Sequence, residues 1–107
     1  MERVCFRMFV KLDRVDEYEA EHQHVWPEVL DALRKSGWHN YSIFLSKEDG
    51  CLITYCEFED FNESLNAIAR EEISLKWQAR MVEYFVPVPG LKPADAFDKF
   101  VEVFHLA

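Results

Sequence analysis

Tyr18, His22 and Trp26 recur at steps of four residues. On a helix that spacing stacks all three side chains on one face, with a phenol and an imidazole side by side. The same face carries Val15, Val25, Val29 and Leu30, so it points toward a sheet rather than toward water. An imidazole held there has two explanations. Either it is a core histidine whose nitrogens find a carbonyl and a hydroxyl, or it lines a pocket and moves protons, since imidazole titrates near neutral pH. Tyr41, which follows His39-Asn40, and Trp77, on a second amphipathic stretch, are the company that favours a pocket. Aromatic walls bearing a few hydroxyl, imidazole and amide groups suit a neutral, polyhydroxylated ligand, whose C–H faces lie on indole while its hydroxyls meet fixed polar groups. For Trp26, Trp38 and Trp77 the competing explanation is plain core filling.

Other chemistries find less support. No HxxxH pair and no carboxylate at helical spacing shares the face of His22, so no metal site is expected there. His24 falls on the opposite side of the helix, toward solvent. Glu57 and Glu59 alternate at a strand end and share one face, as a solvated edge or as acceptors for ligand hydroxyls. Cys5, Cys51 and Cys56 lie in hydrophobic segments without CxxC spacing, and read as reduced core thiols rather than as a nucleophile or a disulfide framework. No glycine-rich phosphate cradle or nucleophile elbow occurs, which disfavours nucleotide cofactors and phosphorylated substrates. What remains is proton transfer without a cofactor, worth roughly 10² to 10⁴ in rate per positioned group. That suffices for a reaction whose uncatalysed barrier is already modest.

The whole chain sets the same bounds. Its 107 residues hold 12 Lys+Arg against 20 Asp+Glu, a net charge of −8, and no basic stripe that would track phosphates. Nucleic acid and an anionic membrane are therefore not expected partners. The length fits one domain, 1–107, and no apolar run reaches the roughly 18 residues of a membrane span. The first residues lack a secretory signal pattern, so a cytoplasmic chain starting at Met1 is expected.

The elements that must position these residues follow from periodicity. Residues 3–12 alternate, with Val4, Phe6, Met8 and Val10 on one face, and read as a strand. From Val15 the period becomes helical and runs to Gly37, with Pro27 either kinking one helix or opening a second. Residues 40–47 and 51–59 read as a hairpin around Glu48-Asp49-Gly50. Asn62 is read as the cap of a short helix over 63–70, and Ser74 as the cap of another over 74–86, whose apolar face includes Ile73, Trp77, Met81, Tyr84 and Phe85. The proline-rich run 86–93 reads as an extended connector and 98–106 as a last strand. The order β, α, β, β, α, β is the split βαβ, ferredoxin-like α+β arrangement, an antiparallel sheet with helices on one face. Its bare face predicts a homodimer, with the last strand reaching the partner's sheet.

Taken together, Tyr18-xxx-His22-xxx-Trp26-Pro27-Glu28, His39-Asn40-Tyr41-Ser42-Ile43, Lys76-Trp77 and Glu102-Val103-Phe104-His105-Leu106 resemble the L-rhamnose mutarotases. The resemblance implies a dimeric ferredoxin-like α/β barrel that interconverts the α and β anomers of L-rhamnose in the cytoplasm, without cofactor or metal. It implies His22 as proton donor and Tyr18, Tyr41 and Trp77 as substrate-binding residues, with Trp26 a further pocket candidate. Gln78 stands where some members carry a second tryptophan, and enters the expected binding set with the sugar's identity in question. L-fucose is the alternative substrate. A non-catalytic sugar-binding module and a heme- or quinone-type barrel enzyme are the alternatives from other classes.

Overall fold

The computed structural model describes residues 1–86 and 98–107. Four antiparallel strands form one sheet in the order β2-β3-β1-β4: β1 is Glu2–Phe9, β2 His39–Leu45, β3 Cys51–Phe58 and β4 Asp98–Lys99. Four helices accompany them, α1 Val15–His22, α2 Pro27–Lys35, α3 Phe61–Ala69 and α4 Glu72–Met81. This is the expected ferredoxin-like α+β topology.

The central pair β1 and β3 runs in unbroken register from Glu2 opposite Phe58 to Phe9 opposite Cys51. Alternation then decides what each face does. Val4, Phe6 and Val10 of the first segment, with Leu52, Thr54, Cys56 and Phe58 of β3, are buried under the helices. Arg3, Cys5, Arg7, Ile53, Tyr55 and Glu57 take the other face, which no helix among the described residues covers. The burial forms two apolar clusters. One joins Tyr18, Val29, Trp77, Met81 and Tyr84, and the other joins Val4, Phe6, Cys56, Phe58 and Phe61.

The long helical period breaks in two, the second of the two expected outcomes, and Pro27 occupies the first turn of α2, where its missing N–H costs nothing. Other expectations need correction. Asp60, not Asn62, caps α3, its carboxylate accepting the Glu63 amide at 3.1 Å. Ser74 is a buried residue inside α4, which begins at Glu72 and gives way after Met81 to a 3-10 turn, Val82–Tyr84. The last strand is only Asp98–Lys99, after which residues 100–106 run exposed. Most of the proline-rich connector lies outside the described residues. Of the three free thiols only Cys56 is fully buried; Cys5 and Cys51 are half-buried.

At the β2–β3 hairpin, Gly50 has φ +76°, and a Cβ there would stand 2.2 Å from the Val10 carbonyl oxygen. Glycine is the residue that both the turn and the neighbouring strand admit.

Candidate active site

α1 ends where the chemistry begins. His22 is its last residue, and the ring Nδ1 lies 3.0 Å from the Tyr18 backbone carbonyl, one turn back. A carbonyl only accepts, so Nδ1 carries the proton and donates it, which leaves Nε2 uncommitted by this bond. The Tyr18 ring lies against the imidazole, centroids 4.2 Å apart, and Trp77 of α4 meets the imidazole edge-to-face at 5.7 Å. A two-pronged ion pair from Arg80 to Glu21 joins α4 to α1 beside these rings. The Arg80 guanidinium also holds the Glu21 carboxyl below its usual range.

These residues face a cavity of about 590 Å³ between the helices and the sheet. Tyr18, His22, Trp77 and Gln78 line it from the helices, and Tyr41, Ile43 and Thr54 from the sheet. Gln78 is exposed, a polar group at the rim, whereas Tyr18 and Trp77 are buried. Burial pushes the Tyr18 phenol well above the ordinary tyrosine range. Tyr41 is 38% exposed as a residue, yet crowding around its hydroxyl raises that group strongly as well, helped by the nearby Tyr18 and Cys56. Both phenols therefore stay protonated near neutral pH and are available as hydrogen-bonding groups rather than as phenolate bases.

Not every expected residue reaches the cavity. Trp26 is not among its walls; it packs edge-to-face on Trp77 at 5.1 Å and backs that ring up. Glu57 is on the uncovered sheet face, where it accepts hydrogen bonds from Tyr55 Oη at 2.6 Å and Asn40 Nδ2 at 3.0 Å. Cys56 donates its thiol to the His39 carbonyl, and burial pushes that thiol up to about 11, so it is an inert packing group. Two cavity residues escape a reading of the sequence by aromatic and histidine spacing alone. Thr54 and Ser74 are buried and polar, and the signal for Thr54 is its place among Leu52, Cys56 and Phe58 on the inward side of β3. Among the described residues no cluster of three or more His, Cys, Asp or Glu is placed to hold a metal ion.

The model of the L-rhamnose mutarotase family matches residues 3–106. The chain belongs to this family. A Tolumonas auensis protein named L-rhamnose mutarotase is 39% identical over 107 residues, the full length of both chains. A crystal structure of an L-rhamnose mutarotase from Formosa agariphila superposes with a TM-score of 0.76 at 25% identity, again over the whole of both chains. A dimeric ferredoxin-like protein from an uncultured marine organism shares the fold, with a TM-score of 0.60 over 98% of this chain and 96% of its own, at 14% identity. As an L-rhamnose mutarotase family member the chain is an isomerase acting on a carbohydrate, and its aromatic, hydroxyl-bearing cavity has the chemistry such a substrate asks for.

Proposed function

We propose that this chain interconverts the α and β anomers of L-rhamnose with His22 as its proton-transfer residue. Mutarotation is the activity of the family to which it belongs. The observation that carries the residue assignment is the tethered imidazole: Nδ1 is committed to the Tyr18 carbonyl, in a ring that lines the cavity between two aromatic side chains.

Ring opening of a cyclic sugar requires a proton on the ring oxygen and loss of one from the anomeric hydroxyl. As imidazolium, His22 Nε2–H gives the first. Water takes the second, directly or through the Tyr18 or Tyr41 hydroxyl, which passes its own proton on to water as it accepts the sugar's. The freed aldehyde rotates about its bond to C2 and recloses by the reverse transfers, so no atom other than hydrogen is exchanged. Trp77 offers a face to the sugar C–H groups, the Tyr18 and Tyr41 hydroxyls hold its oxygens, and Gln78 presents an amide at the rim. No metal or cofactor enters this scheme.

Exchange NMR on equilibrated L-rhamnose tests it. The wild type speeds α/β exchange, and His22→Ala loses about 10² to 10⁴ of that acceleration while keeping its far-UV circular dichroism; a variant as fast as wild type sinks the assignment. Because Gln78 sits at the rim of the cavity, L-fucose is run in parallel. Faster exchange of L-fucose would transfer the reading to that sugar.

Two further features belong to the proposal. The working unit is a homodimer joined through the uncovered sheet face and residues 100–106, supported by the exposed apolar side chains there. Its place is the cytoplasm, supported by three free thiols and by the absence, among the described residues, of a helix long and apolar enough to cross a membrane.

A further inference from the structure

Trp38 and Tyr41 are three residues apart, and in a regular strand they would lie on opposite faces of the sheet. Here both line the cavity, with ring centroids 5.0 Å apart. The register explains how. His39 pairs with Glu57 and Ser42 with Tyr55, so Asn40 and Tyr41 together stand opposite the single residue Cys56, a bulge. Asn40 has φ +48°, the one left-handed non-glycine residue among those described. Its side chain is tied down as well, by the bond from Nδ2 to Glu57. Asparagine is among the few side chains that tolerate this backbone. The bulge thus carries His39 to the outer face and Trp38 to the inner one.

Trp38 is anchored edge-to-face on Phe58 at 4.9 Å, and its indole N–H is enclosed with no hydrogen-bond partner among the described residues. An unpaired buried donor is uncommon in folded proteins because it forfeits its bonds to water. The geometry points to Trp38 as a further substrate-contacting residue, whose indole shifts from its enclosed position so that the N–H takes an oxygen of the bound sugar, with Asn40 as the positioning residue that brings it to the wall. This rests on the sugar-isomerase reading of the cavity. It also supplies a second indole, from the sheet side, in a chain that has Gln78 next to Trp77.

The test separates the two claims. The chain has three tryptophans, so a ¹⁵N-labelled sample gives three indole N–H resonances, with that of Trp38 identified by its loss in Trp38→Phe. On titration with L-rhamnose the Trp38 resonance moves downfield. Trp38→Phe, which keeps a ring against Phe58, raises KM for anomer exchange about tenfold with little change in kcat, as expected for loss of one hydrogen bond. Asn40→Gly keeps KM within about twofold because glycine retains the left-handed backbone, whereas Asn40→Val raises it as Trp38→Phe does. If the Trp77 resonance responds to the sugar while that of Trp38 stays still and Trp38→Phe keeps the wild-type KM, the inference is wrong and the functional reading survives. If no tryptophan responds and no exchange is accelerated, both fall.

Discussion

At His22 the side chain has one free nitrogen, and that simplifies what its neighbours do. With Nδ1 held by the Tyr18 carbonyl, the proposed mechanism moves the proton on Nε2 and asks the phenols only to bind and relay. Their raised pKa values carry a sign that can be checked. Burial favours the neutral phenol, so each hydroxyl keeps its proton through the region near pH 10 where an ordinary tyrosine ionises. Tyr41→Phe should lower kcat/KM by about three- to tenfold, the worth of one hydrogen bond, without altering the pH profile on its alkaline side. A wild-type alkaline limb that disappears in Tyr41→Phe would show instead that the phenolate takes part. The Tyr18–His22 pair was legible in the sequence because helical spacing fixes its partner. The Trp38–Tyr41 wall was not, since a bulge breaks the two-residue period on which strand reading depends.

Elements were readable wherever a residue has one structural use. Pro27 announces a helix start, and Gly50 announces the hairpin. Gly50→Ala has to pay for a left-handed alanine and also displace the Val10 carbonyl, 2.2 Å from the new methyl. A loss of about 2 kcal/mol or more is expected in urea unfolding; a loss under about 0.5 kcal/mol would mean that the turn simply rearranges. Helix caps were harder, because Asp60, Asn62 and Ser74 are all acceptable cap types. What selects among them is which oxygen reaches a free amide, and that depends on chain direction rather than on composition. Asp60 does so at the Glu63 amide. Asp60→Ala should therefore cost about 1 kcal/mol, and Asn62→Ala, one position into α3, clearly less. Equal losses would return the cap to dispute. The C-terminal strand fell short for a related reason: residues 98–106 have strand-like composition, but within one chain only Asp98 and Lys99 find β1 to pair with.

For the molecule as a whole, the unfinished surface is the outer face of the sheet. Phe44 is 63% exposed, Phe104 79% and Val103 92%, with Val101 and Leu106 similarly open. The ion pairs Arg7–Asp98 and Arg3–Glu102 tie this segment to β1, but pairs in contact with water contribute at most about 1 kcal/mol each. Burying a large apolar side chain contributes about 1.5 to 3 kcal/mol. The apolar term therefore decides where residues 100–106 settle, and a second copy offers the same face for it to cover. Charge opposes that pairing, since each chain carries −8. The two effects predict a specific salt response. Added salt screens the repulsion and leaves apolar contact intact, so the dimer should tighten as ionic strength rises, opposite to an assembly held by ion pairs. Light scattering across a dilution series should give twice the 12.7 kDa chain mass at micromolar concentration, with a dissociation constant that falls when salt is added. Phe104→Glu, which places one more negative charge in the apolar contact, should shift the series to monomer and lower the melting temperature of dilute samples. A wild-type chain that stays monomeric throughout would remove the dimer from the proposal, and a dimer loosened by salt would move its energy from apolar contact to charge pairing between the two copies.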